Sequence, residues 1–360
     1  MLAALTLAVL TLAALCPASV ARGQTATGDG TLQIAHLGRC KLENGAVIED
    51  CRVGYRTFGR LDAKRDNAVL VPTWLYGTSA DLKGLFGDLS NPQQLVDTRK
   101  YFGIAMDALG NGVSSSPSNS ATQHGTRFPR FTERDMVQAE FRVAKEVLGL
   151  KHLHAVLGLS MGGEQTFDWA VAHPEFFDLA VPILGTPRLT PYDLETKTIQ
   201  MDTIVDDPDY DHGNYTREPA LTLANLFGNL TVTTPEGRNA TTTRASFAEF
   251  LKKAEAPITL DANDRVWQLR AIVVQDVIGK RTLAEAARTA RARFLVIVNA
   301  NDHLVNPEPA LAWARAKGAQ VYISHGTCGH LIMNCDAAAV SSRVRRFLAA
   351  EGVVSAGTDR

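Results

Sequence analysis

The sequence predicts an α/β protein with a mostly parallel central sheet, helices on both faces and an inserted helical cap. Short apolar runs of strand length alternate with segments of helical periodicity, first within 30–185 and again within 284–352. Between them, over 186–283, the alternation stops and helical patterns mix with several Asp and a turn-rich stretch, which predicts an insertion. With 45% hydrophobic and 21% charged residues among 360, the chain is able to bury a large core.

The elements follow in order. Met1 to Pro17 reads MLAALTLAVLTLAALCP, and the small residues Ser19-Val20-Ala21 follow, so 1–22 is expected to be a signal peptide with cleavage near Ala21 to Gly23. No Lys or Arg precedes the apolar run, which leaves retention as an anchor open. Without the leader, Cys40, Cys51, Cys328 and Cys335 remain, two close pairs that suit disulfides in an oxidising compartment. Cys40 and Cys51 flank the hairpin signal Glu43-Asn44-Gly45. The expected location is therefore secreted or periplasmic.

Asn67 to Pro72 and Tyr101 to Asp107 read as buried strands, the first feeding the loop Thr73-Trp74-Leu75-Tyr76-Gly77. Phe131 to Gly149 reads as a helix with Thr132 as N-cap and Gly149 past its end. A strand over His152 to Leu157 ends at Gly158, a helix follows over Glu164 to Ala172, and Leu179 to Leu184 is the next strand. After the insertion come strands at Arg293 to Asn299 and Ala319 to Ser324, a helix between them at Pro307 to Lys317, and a last helix from Ala337 to Ala350.

Gly158-Leu159-Ser160-Met161-Gly162 lies where an apolar strand ends and a helical segment begins. The five-residue pattern is weak alone, but in this context it resembles the nucleophile elbow of α/β-hydrolases, a sharp strand-to-helix turn that exposes a serine. A serine hydroxyl needs a base to take its proton and a carboxylate to fix that base's tautomer. In such elbows the acid and then the histidine follow in chain order. Asp302, in the loop after the strand ending at Asn299, is the best-placed acid. Of the late histidines, His303 adjoins the acid and His325 ends a strand, so His330, turned by Gly329, is favoured. Cys328 and Cys335 bracket it, and a bridge there would hold the base more rigidly. The oxyanion donors are expected from the backbone N–H groups of Met161 and Leu75, with Trp74 and Tyr76 as candidate substrate contacts.

Asp135-Met136-Val137, Gly158 to Pro174, Asp261-Ala262-Asn263, Leu269-Arg270-Ala271 and Gly329-His330 resemble the homoserine O-acyltransferase family of α/β-hydrolases. The resemblance covers roughly Val53 to Leu348 and implies a Ser160, Asp302 and His330 triad with an acyl-enzyme. It also implies a cap arginine for the homoserine carboxylate and an aspartate after the catalytic histidine. An ungapped match puts Met201 at the first position, and Leu331 follows His330. Neither can pair with a charge, so discrimination for homoserine should be lost.

The resulting expectation is a secreted serine hydrolase of carboxylic esters. O-acyl transfer to an alcohol is the alternative, and a non-catalytic binding member of the fold is the reading from another class. No cofactor and no metal is called for. Lys plus Arg number 37 against 38 Asp plus Glu without long runs, which disfavours nucleic acid. The expected partner is a small acyl substrate, with no stable membrane partner, and a homodimer stays open.

Overall fold

The computed structural model describes residues 26–350, and the expected leader lies outside them. The strands are β1 (Thr27–Asp29), β2 (Gln33–Lys41), β3 (Val47–Arg60), β4 (Ala68–Pro72), the two-residue β5 (Phe86–Gly87) and β6 (Val96–Asp97), β7 (Phe102–Met106), β8 (Leu153–Leu159), β9 (Phe177–Ile183), β10 (Arg293–Asn299) and β11 (Gln320–Ser324). The main sheet runs in the order β1, β3, β7, β4, β8, β9, β10, β11, with β2 also paired to β3. Every pairing from β7 to β11 along this order is parallel, and the β3 pairings are antiparallel. From β4 the chain passes to β7 on one side and then to β8 on the other. The order therefore reverses between β4 and β8, and α/β sheets bind ligands at the strand ends beside such a reversal.

Parallel strands are buried on both faces and so read as continuous apolar runs rather than alternating ones. β4 and β7 are buried at every position. The helices are α1 (Glu133–Arg142), α2 (Met161–Ala172), α3 (Pro191–Val205), α4 (Thr222–Thr231), α5 (Pro235–Thr241), α6 (Phe247–Ala254), α7 (Ala262–Val273), α8 (Leu283–Thr289), α9 (Glu308–Lys317), α10 (Ile332–Cys335) and α11 (Ala337–Ala349). Leu70, Val156 and Val296 pack with Phe167 and Trp169 of α2 and Trp313 of α9. Their strand neighbours Val69, Ala155, Leu157, Leu295 and Ile297 pack with Val340, Val344 and Phe347 of α11. Neighbouring strand residues thus feed two apolar layers, one on each face of the sheet. Helices α3 to α8 occupy the stretch between β9 and β10. Among the described residues no helix is long and apolar enough to cross a membrane.

Element boundaries moved in two informative places. The helix expected to start at Glu164 begins at Met161, because Gly162 and Gly163, weak helix formers, hide its first turn. They are there for space. A Cβ on Gly162 would lie 2.6 Å from the Pro72 carbonyl oxygen, and one on Gly163 would lie 2.9 Å from that of Ile183. The helix expected to reach Gly149 keeps its Thr132 cap, in a reciprocal capping box with Asp135, but after Arg142 it widens to a π-turn over Val143–Val147. Asp135, one of the residues carrying the family resemblance, also accepts the Glu43 N–H at 2.9 Å and so ties α1 to the β2–β3 hairpin. Gly45 makes that hairpin turn at φ 85°. Cys40 and Cys51 are bridged across it, Cα to Cα 5.6 Å, and Cys328 and Cys335 are bridged at 6.0 Å.

Candidate active site

Ser160 stands between β8 and α2 at φ 56° and ψ −125°, a backbone conformation that is strained for any residue with a side chain. The surroundings enforce it. Its N–H donates to the Ile183 carbonyl at 2.9 Å, and its own carbonyl accepts the Glu164 N–H at 2.9 Å. Gly158 allows the chain to double back, since a Cβ there would lie 2.0 Å from the Gly162 carbonyl oxygen. Close packing of strand and helix leaves the Ser160 side chain at the wall of a cavity.

Asp302 follows β10 and His330 follows β11, so neighbouring parallel strands deliver both to the same sheet end as Ser160. Asp302 Oδ1 accepts the N–H groups of Leu304 (2.9 Å) and Val305 (3.1 Å), which aims Oδ2 at His330. That oxygen lies 2.7 Å from His330 Nδ1, and His330 Nε2 lies 2.8 Å from Ser160 Oγ. The side chains of His330 and Asp302 are 8% and 1% exposed, so water competes little for these bonds. The competing histidines, His303 and His325, are both exposed. Gly329, at φ 60°, makes the turn before the histidine, and Leu331 N–H returns to the Cys328 carbonyl at 3.1 Å. A hydroxyl bonded to an imidazole whose other nitrogen faces a buried carboxylate can lose its proton as it attacks a carbonyl.

Met161 is the first residue of α2, where a helix N–H has no intrahelical acceptor. Leu75 lines the cavity together with Trp74 and Tyr76. That loop is held from two sides: the Tyr76 N–H donates to Gln268 Oε1 of α7 at 2.9 Å, and Gln165 Nε2 of α2 donates to the Thr73 carbonyl at 3.1 Å. The cavity has a volume of about 730 Å³, and its walls come from this loop, the His330 loop, α3, α4, α6 and α7. Leu331, 40% exposed, is at its wall. Met201 packs half-buried against the core instead, and its neighbour Gln200 lines the cavity. The 100° step between helix neighbours separates the two.

Sequence reasoning missed a set of buried charges. Glu164 lies one turn past Ser160, and burial lifts its carboxyl above the usual range against the opposing effects of Glu133, Lys197 and His330. Burial, and then repulsion from Glu164, raises Glu133 well above the usual range. Burial lowers the Lys197 ammonium, opposed by Glu164, Asp302 and Asp193. Arg265 of α7, 3% exposed, is a cavity-wall residue that was likewise not singled out.

The alpha/beta hydrolase fold family matches residues 82–333 of the chain. A probable esterase of Corynebacterium glutamicum is 38% identical over 194 residues, covering 53% of this chain and 54% of the relative. A homoserine O-acetyltransferase of Methanohalobium evestigatum is 31% identical over 300 residues, covering 74% and 61%. The chain thus spans little more than half the length of these curated relatives. Among solved structures, the acetyl esterase MekB superposes with a TM-score of 0.81 at 27% identity over 89% of this chain and 97% of that one.

Proposed function

The chain belongs to the α/β-hydrolase fold family, in a group that joins esterases to homoserine O-acetyltransferases, and from that premise we propose that it is a serine esterase acting through an acyl-enzyme on Ser160. The observation that carries this reading is the continuous chain of bonds from Ser160 Oγ through His330 to Asp302, at 2.8 and 2.7 Å. In it His330 takes the serine proton as Oγ attacks the ester carbonyl. Asp302 holds Nδ1 protonated, so that Nε2 is the free base, and steadies the imidazolium that forms. The oxyanion is received by the N–H of Met161 at the helix start and by that of Leu75. His330 then protonates the leaving alcohol, and a water activated by the same imidazole releases the acid.

Water as acceptor is favoured over homoserine by the acceptor side of the cavity. Leu331 follows the histidine and Met201 packs into the core, so neither charged contact expected for a small zwitterion is supplied at those positions. Helices α3, α4, α6 and α7 act as the cap that roofs the cavity, and the expected leader and the two disulfides fit an exported enzyme. The test is to incubate the protein with 4-nitrophenyl acetate in the presence and absence of homoserine and simple alcohols. Nitrophenol release balanced by acetate is expected; acetyl groups recovered mainly on homoserine or another alcohol would replace this reading with acyl transfer.

A further inference from the structure

Among the described residues, Arg265 is the one buried cavity-wall residue whose charge the reaction above does not use; the charged wall residues Asp81 and Lys253 are exposed. Its neighbours along α7, from Ala262 to Leu269, are all buried, so the residue does not lie on a solvated face. It is 3% exposed itself. Among the described residues no acidic side chain lies within ion-pair distance of the guanidinium, and the buried Nε has no hydrogen-bond partner. Glu218, the carboxylate whose ionisation its charge favours, is engaged elsewhere, accepting the Ala262 N–H at 2.7 Å. A buried cation without a counter-ion is costly, by several kcal/mol in real proteins.

The cation faces a partner that is also incomplete. The guanidinium carbon sits 5.2 Å from the ring centroid of Tyr76, whose buried hydroxyl meets the guanidinium but makes no well-aligned hydrogen bond. Burial raises the Tyr76 phenol, with Arg265 opposing, so the group remains a neutral O–H donor near pH 7. Both residues line the same cavity as Ser160 and His330, and the rest of its wall is largely apolar: Leu159, Leu184, Ile258 and Leu304 are examples. An apolar cavity with a guanidinium that lacks a counter-ion and a phenol beside it is suited to receive an anion at the end of an apolar chain.

We infer that the substrate is an ester carrying a carboxylate away from the scissile bond, held by Arg265 and Tyr76 while the ester carbonyl meets Ser160. The inference rests on the esterase reading and narrows it to anionic esters. The carboxylate belongs either to the acyl portion, as in a half-ester of a dicarboxylic acid, or to the alcohol portion, as in an acylated hydroxy acid. The guanidinium chemistry is the same for both.

Matched esters test it. On the acyl side, 4-nitrophenyl hemiglutarate is compared with 4-nitrophenyl valerate; on the alcohol side, 4-acetoxybutyrate is compared with butyl acetate. In at least one pair the wild type should prefer the anionic ester by about tenfold or more in kcat/KM, the scale of one charge-assisted contact. Arg265→Met should erase that preference while changing kcat/KM for the neutral ester by less than about threefold, and Arg265→Lys should restore part of it. Glutarate should raise the melting temperature of the wild type and not of Arg265→Met, whereas 1,5-pentanediol should leave both unchanged. This binding readout needs no turnover. The inference is overturned if neither pair shows an anionic preference, or if Arg265→Met slows neutral and anionic esters equally, as a packing role against Tyr76 would. Failure of the esterase reading looks different: the wild type then turns over no ester of either kind, and the glutarate shift alone decides the anion site.

Discussion

At the scale of single residues, the geometry around His330 makes Asp302 the group on which the proposed base depends. Its Oδ1 is committed to two backbone N–H groups and only Oδ2 faces the ring, so the carboxylate cannot swing away without losing both. Asp302→Asn preserves the shape but offers an amide that favours the wrong imidazole tautomer. A kcat lowered about 10³- to 10⁴-fold with an unchanged melting temperature is expected from steady-state kinetics and calorimetry, and near-normal turnover would point to another acid. That Ser160, Asp302 and His330 meet at one sheet end was legible because each follows a strand that the sequence marks clearly, and chain order did the rest. Arg265 was not legible. An arginine within a helix ordinarily reads as part of a solvated face, and only the burial of α7 on every side removes that reading. Gln200 was missed for a related reason: the ungapped match of α3 pointed to Met201, while the helix turns the preceding residue to the cavity.

At the scale of elements, the strands of the parallel sheet were legible nearly to the residue, with β10 matching its expected bounds, because strands buried on both faces are unbroken apolar runs. Where α2 starts was not, since the glycines demanded by backbone contact with Pro72 and Ile183 carry no periodic signal. The loop between β11 and α11 depends on two fastenings. Cys328 and Cys335 close eight residues around His330, and Thr234 Oγ1 at the N-terminus of α5 donates to the Thr327 carbonyl at 2.5 Å. Replacing both cysteines by Ser should cost about 2 to 3 kcal/mol on the loop-entropy view. It should also lower kcat about tenfold or more by loosening the base, as denaturant titration and kinetics can measure together. Stability that falls while kcat stays constant would show that the α5 contact alone positions His330.

At the scale of the whole molecule, burial of carboxylates on and around α1 and α2 sets how stability varies with pH. Glu140 is 1% exposed, accepts the Trp169 indole N–H at 2.7 Å, and is pushed by burial from 4.5 up to about 8. Between those values the folded chain holds a proton that the unfolded chain has released, so this group's stabilisation is present below pH 4.5 and is lost as pH rises through about 8. Asp168, raised to about 6 by burial, acts in the same direction. Glu140→Gln keeps an acceptor for Trp169 and removes the titration. The melting temperature of this variant relative to wild type should therefore rise steadily from pH 5 to pH 8, whereas a constant difference would contradict the buried-proton account. Covalent labelling tests the proposed nucleophile most directly. A fluorophosphonate probe followed by peptide mapping should modify the wild type at Ser160 and leave Ser160→Ala and heat-unfolded protein unmodified. Absence of labelling in the folded wild type, or labelling of Ser160→Ala at another residue, would contradict the assignment of Ser160 as the acyl-carrying serine.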